Sequence, residues 1–407
     1  MVLTVKPILT CNINCLYCYQ HDFHPHLGSK GTQTQVKIDW EAIKGSVKQA
    51  FEKKITKYLV FHGGEPTLLP LDKVKEICEI VKGYGGRVGI QTNGYLINDE
   101  WIELFKRYRF TIGISIDGPG PLNAGRGFFD TSGQRINPAS DKYTEKVMEN
   151  LRRLRREGLS VGIICVLNRF NGLNPQRQKL KEWLLELREI GIKHGNLNLA
   201  FIDDKKLKPL LELKPEEAKE CYLDLAEFIF SYPDLDYQPF RQFVNNLLGR
   251  GLESCHMTGC DVEATEGEIN IDAQGRIINC TRLIRDGQPT LRKGGLDGKP
   301  EFHRSLHLYR LPMHEGGCGG CRYWCVCMGG CPAEGWDFKT DRPDWYSKTR
   351  TCMAIYALYE YIEGRLKALI PSITTVPDYV SKLPVEAQLE SVIARRRHEK
   401  DFNPLGF

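Results

Sequence analysis

Six times between residues 1 and 235 a short β-rich run is followed by an amphipathic helical pattern, and this alternation limits the fold more than any other feature. The β-rich runs are residues 3–9, 57–61, 87–91, 110–116, 160–167 and 196–201. The helical patterns are residues 40–54, 71–84, 99–108, 142–157, 175–190 and 215–230. Strands separated by helices must cross over, so the spacing predicts a parallel sheet with right-handed crossovers, either open or curled into a partial barrel. Functional residues then belong on loops at the C-terminal ends of the strands. After Tyr232 the alternation stops. Residues 250–352 are rich in cysteine and glycine and carry only short strand patterns, at 268–271 and 276–279. An amphipathic helix runs from Met353 to about Leu369, and a last one lies near residues 385–397. The expected division is 1–235, 236–352 and a helical tail over 353–407.

Composition narrows the function classes. The chain has 407 residues and a formal net charge of +5, too weak a charge to argue for nucleic acid. Arg152, Arg153, Arg155 and Arg156 lie in a helical pattern and suit a solvated face. No apolar run approaches the roughly 20 residues of a membrane helix, and the N-terminus lacks a secretory apolar core. The expected location is the cytoplasm, with no membrane partner. Cysteine is the outlier at 15 residues, three of them in Cys11–Cys18 and five in Cys318–Cys331. A reducing compartment does not keep disulfides, so tight clusters read as metal or iron–sulfur sites. Cys78, Cys165 and Cys221 fall in helix or strand patterns and read as small core residues.

The first cluster is Cys11-Asn-Ile-Asn-Cys15-Leu-Tyr-Cys18, directly after the first β-rich run. Three thiolates on one loop can hold three irons of a [4Fe–4S] cube and leave the fourth open to a substrate or cofactor. A structural zinc loop is the competing reading. It would need a fourth ligand from His21, His24 or His26. Three further motifs follow in order, each closing a β-rich run: Gly63-Gly64-Glu65-Pro66, Gln91-Thr92-Asn93-Gly94 and Ser115-Ile116-Asp117-Gly118. Together the four resemble the radical S-adenosylmethionine (SAM) enzymes, whose defining loop is C-x3-C-x-Tyr-C, here with Tyr17 in the aromatic position. The resemblance implies a partial (β/α)6 TIM-like barrel and a radical SAM oxidoreductase. In that family the open iron chelates SAM, an electron cleaves the sulfonium, and a 5′-deoxyadenosyl radical takes a hydrogen atom from substrate. It places Tyr17, Gly63, Gly64 and Glu65 near the cluster and the methionine moiety. It places Gln91, Asn93, Ser115 and Asp117 along the cofactor or substrate pocket. Turn chemistry alone is the alternative for Gln91 and Asn93, and backbone capping for Asp117. Residues 118–141 form a long segment, expected to touch substrate or SAM. Arg126 in it is either a site for an anionic group or a surface arginine.

The second group runs Cys255-x4-Cys260, Gly275-x4-Cys280, Cys318-x2-Cys321-x5-Cys327-x3-Cys331 and Cys352. It resembles the SPASM extension of a large radical SAM subgroup. That resemblance implies two auxiliary [4Fe–4S] clusters, three in all with the first loop. Cys255, Cys260, Cys280 and Cys331 would hold one, and Cys318, Cys321, Cys327 and Cys352 the other. Cys325 is an extra cysteine that could replace Cys327 or stay free, and Cys327 is the preferred ligand. A pair of zinc sites is the competing reading of the spacing alone. With all eight cysteines bound, the expected role of the auxiliary clusters is to take the electron left after hydrogen abstraction.

SPASM-type enzymes mostly modify ribosomally made peptides and proteins. Three functions therefore compete: a peptide maturase forming a thioether or carbon–carbon crosslink, an anaerobic sulfatase-maturating enzyme making formylglycine, and a non-catalytic iron–sulfur electron-transfer protein. Sulfatase-maturating enzymes place an aspartate, taken as the base, after the third SPASM cysteine. Here that residue is Thr281, which cannot act as a carboxylate base. Many peptide maturases carry a leader-binding domain before the radical SAM loop. Cys11 leaves no room for one, so leader binding would fall to the residues after Cys352 or to a separate protein. A helical cap is the alternative for that tail. The implied partners are a peptide or protein substrate and a reductant such as flavodoxin or ferredoxin.

Overall fold

The computed structural model describes residues 2–19, 37–130, 132–250, 268–278, 303–337, 339–340, 342–344 and 346–396. In chain order the elements are β1 (Val2–Val5), α1 (Trp40–Glu52), β2 (Tyr58–Phe61), α2 (Leu71–Gly83), β3 (Arg87–Thr92), α3 (Asp99–Tyr108), β4 (Thr111–Ser115), α4 (Ala139–Arg156), β5 (Ser160–Leu167), α5 (Gln176–Glu189), β6 (His194–Leu199) and α6 (Lys208–Leu211). Then come α7 (Pro215–Phe230), β7 (Asp236–Gln238), α8 (Phe240–Leu247), β8 (Glu268–Ile271), β9 (Ile277–Ile278), α9 (His303–Arg310), α10 (Trp324–Cys327), β10 (Trp336–Asp337), β11 (Arg342–Pro343), α11 (Cys352–Leu369), α12 (Val376–Ser381) and α13 (Val385–Arg396). These residues form two compact units, which divide after Leu213, with Glu268–Ile278 returning to the first.

The first unit is a sheet of partial (β/α)-barrel type, parallel from β6 to β8 as the alternation requires and closed by the antiparallel β9. Its strand order is β6-β5-β4-β3-β2-β1-β8-β9. The register sets Leu3 opposite Leu59, Leu59 opposite Val88, Ile90 opposite Ile112 and Ile112 opposite Val161. All of these side chains are buried, because helices cover a parallel sheet and its strands become apolar runs. The helices turn Ile43, Val47 and Phe51 of α1 and Val74, Ile77 and Val81 of α2 inward. Asp39 caps α1 through the Ala42 amide at 2.9 Å, and Asn98 caps α3 through the Trp101 amide at 3.0 Å.

Two elements differ from the sequence reading. β8 and β9 fall in the Cys-rich region by sequence. Yet β8 runs parallel to β1, with Ile269 opposite Leu3, and extends the first unit's sheet. The β8–β9 turn carries Gly275 at φ +72°, where a Cβ would stand 2.5 Å from the Ala42 backbone. That close approach to α1 explains why glycine occupies this point of the cysteine pattern. The second difference is α7, which reads as the sixth helix of the barrel. In the structure it buries Cys221, Tyr222, Leu225 and Ile229 and packs on α11 within the second unit.

That second unit is built around α11. Tyr359 stacks on Phe243 of α8 at 4.2 Å and on Tyr323 at 5.4 Å between ring centroids. Glu363, one turn further, accepts from Arg322 at 2.7 and 3.1 Å, from Tyr323 at 2.9 Å and from Thr375 at 2.5 Å. These bonds tie α11, the turn into α10 and α12 together, and they hold the Glu363 carboxyl below its usual range against the effect of burial.

Candidate active site at the strand ends

Every motif of the first unit sits where its strand ends. After β1 the chain enters the Cys11–Cys18 loop, and the β2 turn packs against it edge to edge. The Gly64 amide donates to the Ile8 carbonyl at 2.9 Å, and the Glu65 amide to the Thr10 carbonyl at 2.9 Å. Gly63 has φ +132°, and a Cβ there would lie 2.3 Å from the Ile8 oxygen. At Gly64 a Cβ would lie 1.9 Å from the Thr10 oxygen. The two glycines therefore serve the approach of one backbone to another, and the first partner of these amides is the cysteine loop itself.

Glu65 is 1% exposed, and its carboxylate is saturated. It accepts from the Thr67 amide at 2.9 Å, the Thr67 hydroxyl at 2.6 Å, the Thr92 hydroxyl at 2.6 Å and the Asn93 amide at 2.7 Å. Burial pushes its acid strength down, and these four donors restore part of it. Glu65 thus pins the β3 turn to the β2 turn. Asn93 reaches the cysteine loop directly, its amide donating to Asn12 Oδ1 at 2.8 Å with Cys11 Sγ at 3.7 Å. Its own Oδ1 accepts from the Tyr95 amide at 3.0 Å, so it is a turn residue and a loop contact at once. Gln91 and Ser115 pair across neighbouring strands at 2.8 Å and stand half-buried at the sheet's end.

Asp117 is fully buried and joins three segments. Tyr17 of the cysteine loop donates its hydroxyl to Oδ2, while Oδ1 accepts from Arg126 Nε at 3.0 Å and from the Val166 amide at 2.8 Å. The guanidinium of Arg126 lies 5.3 Å from the Tyr17 ring centroid. Burial pushes the Asp117 carboxyl up, and Arg126 pulls it back. The anion that Arg126 holds is therefore this chain's own Asp117. The segment after β4 clamps the cysteine loop. Asn14 exchanges two hydrogen bonds with the Phe129 backbone, at 2.7 and 2.9 Å, and the Leu16 amide donates to Gly125 O at 3.0 Å.

The donor set of this loop fits a cation. Burial, then neighbouring charge, pushes the Cys11 thiol up to about 12, and burial raises Cys15. Thiols in such a place become thiolates only when a metal neutralises them. Among the described residues no three metal-ligating side chains stand in ligating geometry, so what fits a cluster is the chemistry of the donors. Two orphaned donors add to it: Nδ2 of Asn12, within the loop, and the Tyr143 hydroxyl on α4 are buried without hydrogen-bond partners. A group bearing sulfur acceptors would satisfy both.

In the second unit, Cys318, Cys321, Cys327 and Cys352 lie within reach of one another's charge. Burial first, then Cys352 and Cys321, pushes the Cys318 thiol up to about 12, and burial with Cys352, Cys318 and Cys321 raises Cys327. The Cys325 thiol donates to the Arg322 carbonyl at 3.6 Å. Met328, Gly329 and Gly330 are all left-handed, at φ 52°, 86° and 75°, and bend the chain between Cys327 and Cys331. Arg304, 1% exposed, braces that bend by donating to Gly330 O at 3.0 Å and Gly329 O at 3.1 Å, and to Ser347 O at 2.7 Å. Cys331 is buried there as well. Its expected partners Cys255, Cys260 and Cys280 lie outside the described residues, as do His21, His24, His26 and Thr281.

Residues 5–173 match the family model described as the radical SAM superfamily. The chain carries a radical SAM domain. It is similar to a cysteine-type anaerobic sulfatase-maturating enzyme of Clostridium novyi (strain NT), 25% identical over 81% of this chain and 87% of that one. The fold matches the structure of anSMEcpe with bound AdoMet and Cp18Cys peptide, at TM-score 0.64 and 20% identity over 90% of this chain and 98% of that one. It also matches Streptococcus suis SuiB bound to precursor peptide SuiA, at TM-score 0.54 and 14% identity over 86% of this chain and 75% of that one. The radical SAM domain and the sulfatase-maturating relatives mark the protein as an enzyme. No helix among its described residues is long and apolar enough to cross a membrane.

Sequence reasoning finds the radical SAM motifs but misses what holds them. Asn123, Asn171 and Arg304 carry no motif, and Asn14 and Thr92 lie inside motifs without a role that the motif assigns. Asn123 accepts from the Asp117 amide at 3.0 Å, and Asn171 donates to the Asp117 carbonyl at 3.4 Å. The only signal in the sequence is polarity directly after an apolar strand, as in Asn168-Arg-Phe-Asn171.

Proposed function

We propose that this enzyme uses SAM to oxidise a residue within a ribosomally made peptide, forming a thioether or carbon–carbon crosslink. The observation that carries this reading is the cysteine loop, held by the ends of β2, β3 and β4 together through Gly64, Glu65, Asn93 and Asp117. Similarity to a sulfatase-maturating enzyme along 87% of that protein's length supports a peptide or protein substrate. Thr281, at the position where those enzymes carry an aspartate, favours crosslinking over formylglycine.

Cys11, Cys15 and Cys18 would hold the SAM-binding cluster. Cys318, Cys321, Cys327 and Cys352 would hold one auxiliary cluster, and Cys331 with Cys255, Cys260 and Cys280 the other. When bound, the first cluster and SAM supply a 5′-deoxyadenosyl radical. The chain's own part is to fix the loop through Glu65, Asn93 and Asp117 and to keep Gln91 and Ser115 at the mouth of the strands. The peptide gives up a hydrogen atom and a proton. The clusters that the second cysteine group would hold would take the remaining electron, and a flavodoxin- or ferredoxin-type reductant would supply the electron that cleaves SAM.

The test is anaerobic co-expression with each short reading frame beside the gene, read by mass spectrometry. Loss of a hydrogen pair from one peptide, located by fragmentation, supports the proposal. Unmodified peptides, together with formylglycine in a sulfatase-motif peptide, would move the assignment to sulfatase maturation. The ligand assignment has its own check. Cys327→Ala should lower iron by about four per chain, and Cys325→Ala should leave it unchanged. The reverse result would exchange the two roles.

A further inference from the structure

Tyr143 lies on α4 and is fully buried. Its hydroxyl has no hydrogen-bond partner. Its ring packs against Tyr95 at 5.5 Å and Phe128 at 6.3 Å between centroids. Those faces are hydrocarbon and offer the phenol nothing to donate to. Burial raises the phenol well above its ordinary range, and Cys15, Arg126, Cys11 and Asp117 all lie within electrostatic reach of it. Both Asp117 oxygens are already taken by Tyr17, Arg126 and the Val166 amide. Arg126 is itself a donor. Phe128, on which the Tyr143 ring packs, stands between Gly127 and Phe129, and their carbonyls accept from Asn14, next to Cys15, at 3.0 and 2.7 Å. The Cys15 side of the loop therefore offers sulfur acceptors, which become good ones only as thiolates or cluster sulfides.

A buried hydroxyl left without a partner is rare and costly, and it points to a partner that arrives with a bound group. We propose that the Tyr143 hydroxyl donates a hydrogen bond to a sulfur on the Cys15 side of the cluster held by Cys11, Cys15 and Cys18, and thereby raises that cluster's reduction potential. A donor to sulfur draws electron density away and favours the reduced, more negative state. Tyr143 is in this sense a tuning residue, and the inference rests on the reading of those three cysteines as cluster ligands.

Tyr143→Phe keeps the ring and removes only the oxygen. In the metal-free protein it should leave the unfolding midpoint unchanged or raise it, because an unpaired buried hydroxyl is gone. In the reconstituted full-length protein, the relevant paramagnetic signal is the one absent from Cys15→Ala. In a redox titration its midpoint should move to more negative potential in Tyr143→Phe, with the other cluster signals unmoved. A 3-fluorotyrosine at position 143, a stronger donor of nearly the same shape, should move it the opposite way. An unmoved midpoint in both variants overturns the proposal. Absence of any Cys15-dependent signal in the unsubstituted protein overturns the ligand reading itself, and this inference with it.

Discussion

Cys15→Ala reduces 5′-deoxyadenosine formation from SAM to the background of a preparation without enzyme, and iron content falls by about four per chain. Cys15 is the middle thiol of the loop and is buried, so its loss leaves no side chain able to replace it. The loop around it should survive. Its backbone is held by backbone hydrogen bonds to Gly125, Gly127, Gly64 and Glu65, and these do not involve the thiol. Cys78→Ala is the matched control. Cys78 is also fully buried, but it belongs to the packed face of α2, and its removal should cost stability without changing iron or SAM cleavage. Anaerobic reconstitution, iron analysis and chromatography of the nucleoside product decide the matter. Full SAM cleavage by Cys15→Ala would remove the loop from the reaction.

Asp117→Ala costs about 3–5 kcal/mol of folding stability, the loss expected when one partner of a buried ion pair disappears. Arg126 would be left charged in a site where it is 7% exposed, and the Tyr17 hydroxyl and Val166 amide would lose their acceptor. Thermal unfolding should shift down by roughly 10 °C. The double substitution Asp117→Leu with Arg126→Met should recover much of the loss, since apolar replacements leave no buried charge uncompensated. Scanning calorimetry of the metal-free proteins measures both. A single mutant within about 1 kcal/mol of the parent would show that water or rearrangement pairs Arg126, and that Asp117 does not lock the loop.

The local pattern of the chain determines its elements and its chemistry. Strand alternation fixes the parallel sheet of the first unit, because the residues of each run decide whether it can be buried on both faces. Cysteine spacing fixes which thiols share a loop, because one turn brings Cys11, Cys15 and Cys18 together whatever the rest of the chain does. The motifs after β2, β3 and β4 are visible for the same reason. Each is a contiguous string at a strand end.

What tertiary structure alone decides is the use of each side chain. Glu65 reads as a cofactor contact, and the fold saturates it with donors from Thr67, Thr92 and Asn93. Arg126 reads as an anion site, and the fold turns it onto Asp117. β8 reads as part of the Cys-rich region, and the fold lays it beside β1. Arg304 bears no signal at all, yet it braces the bend between Cys327 and Cys331. Each of these depends on strand register and on loops far apart in sequence, as when Asn14 meets Phe129. A hydrogen bond at that separation is set by where two strands end in space, and periodicity within either strand carries no record of it.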